Sequence, residues 1–452
     1  MSLATKLKHG LEKALEDPRQ AAAALREVNL EQVESTAEAE LVVKVLALFP
    51  LPPEVEAEWT GVGSLLHDLV AWFQNAADAD IRAVFKRGAP ELVRVFDATL
   101  ARWAPPASDG APEEAEGSWQ LKSDLMFVLK VIALYAPPGG LQRLEAAARQ
   151  PALQDEYLWS VILGLAAQEG HPWQKELLEA LREPVPAGFA GVAYLDFANT
   201  VSRQGGASRH PFDTPRGHAL LEGWLSDEDE EHFSYAHSAA ASLPFVREPA
   251  RASLLARAEK HPDQGVRLEA AWAAAKCGLE RGLDTLRAAC ADPRSATIAL
   301  HYLHELQAEA GDRDLSIPEL SEDFLAMAEM CQWLAHPQEF GRPPRSIVQA
   351  DARELFWPPT NDRRKLWLFR YEYATDEEET EPDTGYGMVG SVTFALFGET
   401  TADRKPEEVY ALHCAWELEM NQDPRAPAAR SVDTGLEILA RHNPELKLFL
   451  PN

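Results

Sequence analysis

DQGVRLEAAWAAAKCGLERGLDTLRAACADP, residues 263–293, is the stretch on which the fold turns. Asp263 stands before a run in which Val266, Ala270, Ala271 and Ala274 recur three or four residues apart, the pattern of a capped amphipathic helix. Gly278 can take the left-handed turn that ends such a helix. Leu283 and Leu286 then begin a second short helix, and Pro293 stops it. A proline lacks the backbone donor and forces the residue before it out of helical geometry.

The same closure recurs upstream. LQRLEAAARQP ends at Pro151, QKELLEALREP at Pro184 and ASLLARAEKHP at Pro262. Pro151 to Pro184 is 33 residues and Pro262 to Pro293 is 31. The 78 residues between Pro184 and Pro262 leave room for two longer repeats, one with an insertion around 205–216. Helix pairs at this period predict an α-solenoid. Neither apolar face of a pair can be buried alone, so neighbouring pairs must stack into one core.

Residues 263–293 resemble a HEAT repeat of the bilin-lyase-like, short HEAT type. Asp263, Val266, Arg267, Ala270, Ala271, Ala274, Gly278, Leu283 and Leu286 fall in that pattern's places, and Lys276-Cys277 replaces its usual Ala-Leu. The pattern is clear here and weaker in the repeats before it. The resemblance implies that Asp263 caps the first helix, that Arg267 lies along the inter-repeat seam and that the array offers an extended surface to partners. It also implies an alternative, a HEAT-like enzyme or enzyme-associated factor of lyase or metal-dependent hydroxylase type. Di-iron HEAT-repeat hydroxylases place His-Glu dyads in several repeats. His304-Glu305 is the one such dyad in this repeat region, which disfavours that alternative.

Working outward gives five segments. Residues 1–103 read as an N-terminal helical segment, opened by Leu7, Leu11, Ala14 and Leu15 at helical spacing. Residues 104–118, APPASDGAPEEAEGS, have no period and read as a flexible loop or linker. Residues 119–310 hold the HEAT-like repeats, and 311–345 a connecting helix with a Pro-rich boundary. Residues 346–452 read as a small α+β domain with an antiparallel sheet, resembling no known family. In that domain 366–373 and 388–397 alternate with period two and are expected to pair. The stretch 409–418 also alternates and is expected to be a third strand, although its Ala, Glu and Leu content could instead form a helix. Residues 431–442 read as a helix capped by Ser431 or Asp433. Trp357-Pro358-Pro359 reads as an extended connector. The aromatic face of Trp367, Phe369, Tyr371 and Tyr373 is expected to pack on 431–442 or on the last solenoid helix, as the single buried face of the sheet.

The 452 residues carry 43 Lys+Arg against 72 Asp+Glu, a net charge of −29 spread along the chain. That charge repels phosphate backbones and anionic lipids, so no nucleic-acid partner is expected and a basic or neutral protein partner is. No apolar run approaches the ~20 residues of a membrane span, so no membrane partner is expected either. None of Cys277, Cys290, Cys331 and Cys414 forms a CxxC pair, and the N-terminus lacks an apolar signal core. A reducing, cytoplasmic setting is expected.

Several residues invite chemistry. His301, His304 and Glu305 share one helix face and are the candidate metal ligands, in a His-x-x-His-Glu order that fits neither the zincin helix nor its reverse. The bland reading, an exposed histidine pair beside the last repeat, is preferred, and no metal or other cofactor is expected. His413-Cys414 would point to opposite sides of a strand, which leaves Cys414 as core rather than a nucleophile. Asp227–Glu231 reads as a solvated cluster before a helix. Gly385, Gly387 and Gly390 lack the following Lys-Ser/Thr of a phosphate loop. Asp376, Glu377, Glu378 and Glu379 form an acidic loop, expected to be exposed, and are the candidate partner-binding residues. The function read from the sequence is a non-enzymatic protein–protein interaction scaffold.

Overall fold

Polar side chains placed just before apolar runs start the helices by satisfying their first free amides. In the computed structural model, Asp263 accepts from Val266 N–H at 2.8 Å, Ser64 from His67 N–H at 2.9 Å and Thr214 from Gly217 N–H at 3.0 Å. Ser35 and Glu38 close a reciprocal capping box. The structure describes residues 3–17, 21–26, 32–51, 64–103, 118–336, 339–373, 384–396 and 403–450. The linker expected at 104–118 lies outside them except for Ser118. The chain divides into two compact units, Met1–Arg257 and Ala258–Asn452.

The first unit contains α1 (Leu3–Glu16), α2 (Ala21–Arg26), α3 (Thr36–Leu46), α4 (Leu65–Asn75), α5 (Ala79–Gly88), α6 (Pro90–Arg102) and α7 (Ser118–Tyr135). It continues with α8 (Gly140–Ala148), α9 (Leu158–Ala166), α10 (Gln174–Ala180), α11 (Gly188–Arg203), α12 (Pro215–Trp224), α13 (Phe233–Ala241) and α14 (Ala250–Ala258). No strand occurs among its described residues. Packing runs between near neighbours in the chain: α1 on α3, α6 on α7, α7 on α9, α9 on α11 and α11 on α13. Among the described residues of the chain, no helix is long and apolar enough to cross a membrane.

A turn that recurs at three places joins these helices. In His171-Pro172-Trp173, His210-Pro211-Phe212 and His261-Pro262-Asp263, the histidine Nδ1 accepts the backbone N–H two residues on, at 3.2, 3.3 and 3.1 Å. The proton is thereby assigned to Nε2. From there His171 donates to Ala133 O at 2.8 Å, and His210 donates to Asn199 Oδ1 at 3.1 Å. Asn199 passes the chain on to Ser238 O at 3.2 Å. Burial lowers the pKa of His171 and takes that of His210 down to about 4, so both rings stay neutral and serve as ties.

The second unit opens with α15 (Gln264–Lys276), α16 (Glu280–Ala289), α17 (Ala296–Ala310) and α18 (Glu322–Leu334). Asp263 caps α15 and Gly278 takes φ +80° behind it, both as expected. Arg267 folds back to donate to His261 O at 2.6 Å and to Pro262 O. Gly282 lets α16 approach α15: a Cβ there would lie 2.4 Å from Ala271 O.

Strands β1 (Ser346–Trp357), β2 (Asp362–Glu372), β3 (Thr384–Val389) and β4 (Phe394–Leu396) form one antiparallel sheet in that order. They are followed by α19 (Pro406–Met420) and α20 (Val432–Ala440), the latter capped by Ser431. The expected pairing of 366–373 with 388–397 is present in part, with Leu368 opposite Met388.

Four expectations are corrected. The stretch 409–418 is helical, not a strand. Pro406 opens α19, and Glu408 accepts from Lys405 N–H at 3.1 Å. Val409, Tyr410, Cys414 and Leu418 are all buried, and a helix that is apolar on most sides shows alternation by coincidence. The stretch 388–397 is not one strand: Gly390, at φ +107°, ends β3, and the chain doubles back as β4. Pro358 and Pro359 sit in the β1–β2 turn, where Asn361 N–H donates to Trp357 O at 2.8 Å. The sheet is covered on both faces, not one. Phe369, Tyr371, Tyr373 and Val389 pack with Ala326, Met330 and Leu334 of α18. On the other face, Leu355, Trp357, Leu366, Leu368 and Met388 meet α19 and α20.

Candidate functional site

In the first unit the apolar stripe of each helix is turned inward, and what escapes burial is local. Its exposed large apolar residues among those described are Leu100, Trp119, Tyr157 and Val161, all within 100–161. Trp119 is 62% exposed and Tyr157 69%. Lys122 lies one helical turn beyond Trp119 and pairs with Glu156, the neighbour of Tyr157, at 2.5 Å. The start of α7 and the start of α9 are thus held together.

Leu100, in turn, lines a groove of about 360 Å³ bordered by α6 and α8, together with Phe96, Ala146, Ala147 and Leu153. Its rim is fixed by a bidentate pair: Arg143 Nε lies 3.0 Å from Asp97 Oδ1 and Nη2 lies 2.7 Å from Oδ2. Donating to the Asp97 carboxylate raises the Arg143 pKa above its ordinary value. α6 buries Leu92, Val93, Val95, Phe96 and Thr99, and Leu100, near its C-terminal end, is 38% exposed. An apolar floor with a charged and amide rim suits a side chain of a bound segment.

The residues singled out from sequence fall elsewhere. Asp376, Glu377, Glu378 and Glu379 lie outside the described residues. His301 and His304 are exposed, while Glu305 faces Lys276 Nζ at 3.5 Å. Among the described residues no group of three or more His, Cys, Asp or Glu stands close enough to hold a metal. Asp227 meets His232 at 2.9 Å and caps its own turn by accepting from Asp229 N–H at 3.0 Å.

His413 and Cys414 are buried on α19. Burial pushes the Cys414 thiol up and takes His413 down to about 3. Cys331 is likewise pushed up to about 12 by burial. These groups are poised neither as nucleophile nor as base at neutral pH. Glu417, also buried, accepts from Trp357 Nε1 at 2.8 Å and lies 2.8 and 2.9 Å from Ser391 Oγ, a contact that ties α19 to the sheet.

Trp119 and Tyr157 were not among the residues singled out from sequence. Neither sits off a periodic stripe in a way that composition would flag. No family model, no curated protein and no solved structure matches this chain.

Proposed function

We propose that this protein is a non-enzymatic interaction scaffold whose helical unit binds a protein partner at the α6–α9 face. The observation that carries the reading is that, among the described residues, the exposed large apolar side chains of that unit are Leu100, Trp119, Tyr157 and Val161, and that Leu100 lines a groove with a fixed polar rim. Aromatic anchors around a small apolar pocket are the usual energetic centre of a protein interface. The net charge of −29 favours a segment with basic flanks. The cap at Asp263 and the turn at Gly278 agree with the HEAT-like resemblance, in which such arrays serve as binding surfaces. A cytoplasmic setting accords with four cysteines that form no disulfide.

The test compares affinity-purified complexes of the wild type, a Trp119→Ser/Tyr157→Ser double variant and a Leu448→Ser control, which alters an exposed apolar residue in the other unit. A partner retained by the wild type and the control but lost by the double variant supports the reading. A partner set indifferent to the double variant defeats it.

A further inference from the structure

Loop 204–214, the insertion between α11 and α12, ends in a buried carboxylate with an unusual complement of donors. Asp213 is 3% exposed. Its Oδ2 accepts from Arg247 Nε at 2.5 Å and Arg209 Nε at 3.3 Å. Its Oδ1 accepts from His218 Nε2 at 3.2 Å and Arg247 N–H at 3.3 Å. Burial works against the charge, and the bonds from Arg247 and His218 outweigh it, so the carboxyl is held below its usual range.

Two guanidinium groups are therefore fastened by their inner nitrogens to one carboxylate. That leaves a local surplus of one positive charge in a strongly acidic chain. Nη1 of Arg209 and both terminal nitrogens of Arg247 take no protein acceptor among the described residues. The side chains are 49% and 68% exposed. They border a cleft of about 420 Å³ that also presents Ser202, Ser208 and Phe245. Ser202 Oγ is buried there with no hydrogen-bond partner among the described residues. Among the described residues, Asp213 is the single carboxylate lining that cleft, and its oxygens are already taken.

We propose that Arg209 and Arg247, with the hydroxyls of Ser202 and Ser208, form a binding site for the phosphoryl group of a small phosphate monoester. Guanidinium forks match phosphate oxygens bidentately. Anchoring by Asp213 removes much of the entropy that free arginine side chains would lose on binding. The cleft volume suits a small molecule. The net charge of −29 opposes a nucleic acid, whereas a compact dianion inside the cleft feels mainly the nearby arginines once salt screens the rest. This inference is independent of the α6–α9 face.

The test titrates the full chain with glycerol phosphate at constant ionic strength, by calorimetry and by thermal shift. Saturable binding is expected, weakened about tenfold or more by Arg209→Gln or Arg247→Gln. Ser202→Ala leaves every bond to Asp213 in place and should weaken binding severalfold. Arg182→Gln, which alters a surface pair with Glu179 in the same unit, should leave binding unchanged. Absence of saturable binding at millimolar ester overturns the proposal. So does binding that Ser202→Ala and both arginine variants leave intact. Tighter binding of a phosphoserine peptide than of glycerol phosphate would overturn the small-molecule assignment.

Discussion

Asn443 binds both backbone groups of Phe356: Phe356 N–H donates to Asn443 Oδ1 at 2.8 Å, and Asn443 Nδ2 donates to Phe356 O at 2.9 Å. One side-chain amide thus takes the place of a neighbouring strand on the outer edge of β1. It also donates to Leu439 O at 2.9 Å, which fastens the end of α20 to the same edge. An edge strand with open donors and acceptors invites pairing with other chains, and here one residue occupies part of that edge.

Asn443→Ala removes these bonds and leaves Phe356 N–H without its partner in a half-buried place. The expected loss is about 2–3 kcal/mol in urea unfolding of the full chain. Amide hydrogen exchange at Phe356 should accelerate together with that loss. Unchanged exchange there would show that the bond is not formed in solution.

Phe369 is fully buried against α18, whereas Trp367 is only half-buried. The indole of Trp367 donates to Asp323 Oδ1 at 2.8 Å, and Lys365 Nζ stands 4.8 Å from the ring centroid. Phe369→Ala should therefore cost about 3–5 kcal/mol. Trp367→Ala should cost less, about 1–3 kcal/mol. The two midpoints, compared in urea, check the order.

His413 lies wholly inside the second unit, neutral and with its pKa at about 3, against 6.5 for a free imidazole. The unfolded chain binds a proton as pH falls through 6.5, and the folded chain does not. Folding stability from this group is complete above that value and drains away between 6.5 and 3. At pH 5.5 the loss relative to pH 7.5 is about 1.4 kcal/mol from this residue. His413→Phe should flatten the pH dependence of the urea midpoint over that interval by this amount. An unaltered profile would mean that the ring is hydrated. His210 contributes in the same direction through its own depressed pKa, and the difference between the two proteins removes it from the comparison.

Gly282→Ala places a methyl 2.4 Å from Ala271 O and 2.6 Å from Ala275 N. Backbone atoms of α15 cannot yield as a flexible side chain would. Alanine improves helix propensity by about 1 kcal/mol, and the overlap should exceed that gain, giving a net loss of about 1–3 kcal/mol. A stabilised variant in thermal unfolding would show that α15 and α16 stand farther apart than described here.

Much of the helical part was legible because its determinants are local. Asp263 and Ser431 act on amides three residues away, and Gly278 acts on its own φ angle. The candidate sites were less legible. His301, His304 and Glu305 share a helix and draw attention by spacing, yet a metal site needs ligands from other elements, which no spacing supplies. His-Pro occurs four times in the sequence, and at 171, 210 and 261 it forms the turn described above. Its role became clear only when each Nδ1 was seen to accept the amide two residues on.

The sequence by itself determined several helix caps and ends, such as Asp263, Gly278 and Ser431, that most of 366–373 is a strand, and that the chain is acidic. Those features depend on neighbours within about four residues or on composition. The tertiary structure decided that 409–418 is a helix and that both faces of the sheet are covered. An apolar run that is buried on most sides carries no period to separate the two conformations. It alone brought Arg209, His218 and Arg247 onto Asp213 and held Trp119 and Tyr157 outside the core. Such meetings depend on how separate helices pack, and packing joins residues whose distance along the chain says nothing of their distance in space.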